Sequence, residues 1–134
     1  MLENYIKTIN IEALTASNIA RQMILPAALK YQLQLAETVN ATKAASKKAN
    51  TSAAEKGLEE VSELTAALQS AVDALDKVRE DDSANGDHTK HAKHYRDKVI
   101  PAMNKVREAA DALELLVDDQ LWPLPKYREM LFVY

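Results

Sequence analysis

Apolar residues recur at alternating steps of three and four through nearly the whole chain, and only two short polar stretches break the rhythm. Such steps return a side chain to one face of an α-helix, whereas a strand needs a step of two. The first segment carries Leu2, Ile6, Ile9, Ala13, Ala16, Ala20 and Met23, then two adjacent stripes, Ile24-Ala28-Tyr31-Leu35 and Leu25-Leu29-Ala36. Its apolar face therefore widens after Pro26, which calls for more packing partners there. The second carries Leu58, Val61, Leu64, Leu68, Ala71, Leu75 and Val78, an a/d seam from Val61 onward. The third carries Ala92, Tyr95, Val99, Ala102, Val106, Ala109, Leu113 and Leu116.

The breaks have their own chemistry. Lys43 to Asn50 is small, polar and basic, and Ser52-Ala53-Ala54-Glu55 reads as a capping box with Ser52 as the cap. Asn85-Gly86 is a turn signal, and Asp87 suits the cap of the helix that follows. Pro26 and Pro101 each fall inside a helical pattern, remove one hydrogen bond and press on the preceding turn, so two kinks are expected. Counted back from the helix ends, the two prolines should lie at similar heights.

The expected fold is all-α: an up-down-up antiparallel three-helix bundle with a long kinked first helix and a docked C-terminal tail bearing a short helix. Residues 1–134 form one domain, with helices over about 3–46, 53–80 and 88–117 and a tail over 118–134. At 1.5 Å per residue the first helix is roughly 65 Å long and the others roughly 40–45 Å. About the first fifteen residues should then overhang. Tyr5, Ile6, Ile9 and Leu14 would be left to dock on a partner or on another part of the same protein.

Composition removes several function classes. Net charge is −3 with both signs interspersed, so there is no footprint for nucleic acid. No apolar run nears the roughly 18 residues that span a bilayer, and Met1-Leu2-Glu3-Asn4-Tyr5 lacks the pattern of a signal peptide. There is no cysteine, hence no disulfide, thiolate nucleophile or Cys-based zinc site. The cytoplasm is the expected compartment. Gly57 and Gly86 stand alone, so no phosphate loop exists.

Two features invite a site. His88, His91 and His94 stand at i, i+3 and i+6, where two imidazoles could share a metal. Lys90, Lys93 and Arg96 crowd the turn with positive charge, so a solvated basic turn is the simpler reading. Glu59, Glu60, Glu63, Asp73 and Asp76 read as a solvated acidic face rather than catalytic carboxylates. The tail is the other feature: Trp122, Leu124, Tyr127 and Phe132 are too apolar to stay in water, and Pro123 and Pro125 lower the entropy lost on docking. It either clasps the open end of the bundle near the first turn or reaches another subunit or domain.

Three stretches carry a resemblance. Glu3-Asn4-Tyr5-Ile6-Lys7-Thr8-Ile9-Asn10-Ile11-Glu12-Ala13, Ile24-Leu25-Pro26-Ala27-Ala28-Leu29-Lys30-Tyr31-Gln32 and Leu121-Trp122-Pro123-Leu124-Pro125-Lys126-Tyr127-Arg128-Glu129-Met130-Leu131-Phe132 resemble the C-terminal helical region of type III glutamine synthetases. Those enzymes join ammonia to glutamate with ATP and a divalent metal, usually Mg²⁺, and assemble into large ring-based oligomers. The resemblance implies a C-terminal domain of such an enzyme, with a structural or oligomer-assembly role. Its implied partners are the catalytic domain of the same polypeptide and neighbouring subunits. It carries no catalytic, cofactor-binding or metal-binding residue onto this sequence; ATP and Mg²⁺ belong to the parent enzyme. A stand-alone helical adaptor or scaffolding protein is the rival reading.

Overall fold

The computed structural model describes residues 2–81 and 87–125, with three helical rods packed side by side. The first rod runs through α1 (Leu2–Ile19), a π-helical turn (Ala20–Ile24) and α2 (Leu25–Ala45). The second is α3 (Ser52–Glu80). The third comprises α4 (His88–His94), a second π-helical turn (Tyr95–Val99) and α5 (Ile100–Leu116). The Asn85-Gly86 turn and the short helix expected from about Pro125, with Tyr127 and Phe132, lie outside the described residues.

Each π turn ends two residues before a proline, and the chemistry explains the placement. In an α-helix Pro26 would have to donate to the carbonyl of Gln22; it has no N–H, and its ring would press on that carbonyl. Widening the turn relieves the clash. Leu25 N–H reaches back five residues to the Ala20 carbonyl, and Ile100 N–H likewise to Tyr95. The interruption expected at each proline thus takes the form of one inserted residue. The insertion shifts part of the stripe that follows it, although Val106 and Leu113 stay buried. In the third rod, Met103 and Val117 are the buried residues where unbroken three-four spacing selects Ala102 and Leu116, which are only half-buried.

The vertical alignment of the rods differs from the expectation. His88 Nε2 lies 3.2 Å from Glu3 Oε1, which sets residue n of the first rod level with about residue n + 85 of the third. Pro101 is then level with about residue 16, some 15 Å from Pro26 along the bundle, so the two prolines do not lie at similar heights. The overhang is corrected in the same way. α3 ends level with His94, whose Nε2 is 2.7 Å from the Val78 carbonyl, and α4 runs on past that end. There it packs along α1, where Ile6 is buried and Ile9 half-buried. The stagger moves the unpaired length to the other end. α5 stops level with about residue 31, so the rest of α2 runs against the first part of α3 alone, as a two-helix arm.

Small side chains set the core. Ala13, Ala20 and Ala28 on the first rod are fully buried against Val61, Leu68, Val72 and Leu75 of α3 and Val99 and Leu113 of the third rod. The arm's turn is closed by Lys43, which donates to the Ala49 carbonyl at 3.2 Å. Asn50, rather than Ser52, opens α3: its Oδ1 accepts from both the Ser52 N–H and the Ser52 hydroxyl. Thr51 therefore becomes the capping position, and the expected Ser52 cap is displaced by one residue. Asp87 does cap α4, accepting from Lys90 N–H at 3.1 Å.

Inside the arm, Gly57 faces Leu35, and a Cβ built there would stand 3.4 Å from Leu35 Cδ1, the end of a flexible side chain. Gly57→Ala should therefore stabilise the chain by about 0.5–1 kcal/mol through helix propensity. An unchanged or lowered urea midpoint would show that the arm needs the bare backbone.

Candidate interaction surface

A polar clamp fastens the first π turn to α3. Arg21, within the π turn, donates from Nη2 to Asp76 Oδ2 at 2.6 Å and to Asp73 Oδ1 at 2.9 Å, and from Nε to Asp76 Oδ2 at 3.1 Å. The buried Ser17 hydroxyl donates to Asp76 Oδ1 at 2.7 Å, and Gln69 Nε2 donates to Asp73 at 3.0 Å. Asp73 and Asp76 are thus not simply part of a solvated acidic face, while Glu59, Glu60 and Glu63 are exposed. Partial burial resists ionisation of Asp76, but the Arg21 and Ser17 hydrogen bonds and the charges of Arg21 and Arg79 outweigh it. Together they hold the carboxyl below its ordinary range. The sequence signal was available as Ser17 and Arg21 one turn apart, opposite Asp73 and Asp76 one turn apart.

The three histidines diverge. His88 meets Glu3, His91 stands edge-on to the buried Tyr95 ring with centroids 5.0 Å apart, and His94 reaches the Val78 carbonyl. Among the described residues no group of three His, Cys, Asp or Glu side chains is placed to hold a metal. His88 and His94 thus join the third rod to α1 and α3.

The expected docking residues separate into two sets. Ile6 is buried and Ile9 half-buried, whereas Tyr5 and Leu14 remain exposed on α1. Tyr5 lines a shallow hollow with Thr89, Ala92, Lys93 and Arg96. Trp122 is buried and Leu124 half-buried. The tail reaches them through a reversal at Asp118, whose carbonyl accepts from Leu121 N–H at 2.9 Å and Trp122 N–H at 3.1 Å, and whose side chain accepts from Gln120 N–H at 2.9 Å. Leu124 then lies in a groove of about 490 Å³ with Ile11, Thr15, Ile19 and Val106. The clasp near the first turn is corrected for the described part of the tail: α5 stops well short of that turn, and the Asp118 reversal sends Trp122 and Leu124 back between α1 and α5.

Two apolar side chains stay in water at the base of the arm: Leu29 is 53% and Leu33 58% exposed, one turn apart on α2. They continue the second of the two stripes read after Pro26. The first stripe, through Ala28, Tyr31 and Leu35, turns inward, and its members are buried or half-buried. Exposed charge on the arm is mixed on both helices: Lys30, Glu37 and Lys43 lie on α2, Lys47 and Lys48 on the turn, and Glu55, Lys56, Glu59, Glu60 and Glu63 on α3.

The glutamine synthetase C-terminal domain model matches residues 1–43. Over 99% of its length the chain is 31% identical to a type-3 glutamine synthetase of Dictyostelium discoideum, and over 98% it is 32% identical to a glutamine synthetase of Bacteroides fragilis. A glutamine synthetase of Butyrivibrio fibrisolvens is 27% identical over 98% of the chain. The chain spans about a fifth of the length of these relatives: 19%, 18% and 19%.

Removing the acceptor of the clamp should show in acid. Asp76→Asn should cost about 1–2 kcal/mol near neutral pH, allowing for the exposure of Arg21 and the stranded Ser17 hydroxyl. Because the folded carboxyl titrates below its unfolded value of about 3.9, its contribution is complete above that value and fades as pH falls through the folded one. Urea midpoints between neutral pH and pH 2 should therefore converge for the two proteins; parallel curves would refute the clamp. Trp122→Ala should cost about 3–5 kcal/mol, read as a fall in melting temperature, because a large buried ring is lost from the core.

Proposed function

We infer, for a chain that belongs to the glutamine synthetase C-terminal domain family, a structural and assembly role within an ATP-dependent glutamate–ammonia ligase. The observation that carries this reading is the end-to-end similarity to two glutamine synthetases of which this chain spans only about a fifth. Ammonia, glutamate, ATP and Mg²⁺ are then handled by residues outside this chain, and the whole enzyme works in the cytoplasm. Within the described residues Arg21, Asp73 and Asp76 lock the first rod to the second, and Glu3 and His88 align the first with the third.

The domain contributes surface rather than chemistry. Its partners are the catalytic region of the same polypeptide and neighbouring subunits, met through the exposed Tyr5 and Leu14. None of the described helices is long and apolar enough to cross a membrane.

Two assays test the role. The 134-residue chain supplied with ATP, glutamate, ammonia and Mg²⁺ should form no glutamine above background. A glutamine synthetase carrying this chain should lose its oligomeric state on gel filtration, and most of its activity, when residues 1–134 are removed. Glutamine formation by the isolated chain, or an intact assembly after the deletion, would overturn the reading.

A further inference from the structure

We propose that residues 126–134 act as a strap within one copy of the chain, continuing from Leu124 along the groove between α1 and α5 and covering Ile11. The proposal rests on that groove and not on the assembly role above.

The groove is built but only part filled. Ile11, Thr15 and Ile19 of α1 form one wall, Val106 and Ala110 of α5 the other, and Leu124 is seated between them. Val106 and Leu124 are buried or half-buried there, yet Ile11 stays 55% exposed. A large apolar side chain left in water at the end of an apolar groove marks area that something else covers. Thr8, Ile11, Thr15 and Ile19 step by three and four, so they share one face of α1. The uncovered strip therefore runs from Leu124 toward the N-terminal end of α1. Leu14 stands off this face and is left to the partners named above.

Continuity selects the chain's own tail as the occupant. The Asp118 reversal turns the chain back along α5, so the residues after Leu124 head toward Ile11. Nine residues follow Pro125. As a helix opened by that proline they cover roughly 14 Å, against roughly 12 Å for the run of α1 from Ile19 to Ile11. The strap thus reaches Ile11 and stops short of Tyr5. Tyr127, Met130, Leu131 and Tyr134 recur at i, i+3, i+4 and i+7, the spacing of one apolar helix face, and Lys126, Arg128 and Glu129 fall outside it. A separate protein would have to compete with a segment tethered at an effective concentration on the order of millimolar. Pro123 and Pro125 favour the tether further, because they lower the entropy lost on docking.

The chain has no cysteine, so a single introduced thiol reports whether the groove is covered. In the full 134-residue chain, Ile11→Cys should react with a thiol reagent about tenfold or more slowly than Leu115→Cys, placed where α5 is 90% exposed. Ending the chain after Pro125 should speed Ile11→Cys about tenfold and leave Leu115→Cys unchanged, with cooperative melting retained. Met130→Asp with Leu131→Asp should do the same without shortening the chain. Equal Ile11→Cys rates with and without the segment would overturn the proposal. Protection that disappears on dilution from high to low micromolar concentration would overturn it too, since the groove would then hold the tail of a second copy.

Discussion

The proline ring is the constraint from which the rest of the bundle follows. Two rods that must be long enough to pack carry a proline in their interior, where an α-helix has no room for the ring and no use for a missing amide. Both rods answer with the same device, a single five-residue π turn ending two residues ahead of the proline. The helix continues, so the rod keeps its length. Its apolar stripe, however, is rotated beyond the insertion. In the first rod that rotation turns one stripe onto α3 and leaves the Leu29-Leu33 ridge facing outward. Arg21 stands inside the same turn, which places its guanidinium over Asp73 and Asp76. Core, clamp and open face thus all depend on where two amides are absent.

Much of this was legible from spacing. Three helices, their antiparallel order, the Asp87 cap and the interruption at each proline follow from periodicity and from the chemistry of single residues. What spacing could not supply is the height of one rod against another. A three-four repeat reads equally well if a rod slides by a turn, so alignment rests on pairs far apart in sequence, such as Glu3 with His88. The expectation of matched prolines and of an unpaired N-terminal stretch counted back from the ends of the first and third rods. Those ends are not level: α5 stops level with about residue 31, and the length mismatch appears at the opposite end. Ser52 illustrates the local version of the same limit: Asn50 is an equally good acceptor two residues earlier, and the turn geometry decides between them.

The surface was harder to read than the core. Asp73 and Asp76 look like their neighbours Glu59 and Glu63 in sequence, and only the π turn brings Arg21 within reach of one pair. The tail was recognisable as a docking element from its aromatic content, yet its direction depends on the Asp118 reversal and on where α5 stops. The family resemblance, carried by the opening, the Pro26 region and the tail, reached further than any physical argument about activity. No spacing within this chain points to glutamate, ammonia or ATP.

The stagger also orders the events of folding. Contacts within the arm join residues separated by little more than the six-residue turn between Ala45 and Ser52. Contacts between α1 and α4 join residues such as Glu3 and His88, at opposite ends of a far longer loop. Loop-closure entropy grows with the logarithm of that separation, and long-range pairing is slow for the same reason. The arm can therefore zip before the N-terminal rod finds its partner. The last closure draws α1 and the returning tail together at the far end of the bundle. A growing chain would complete its arm before the end that carries Trp122 has been made.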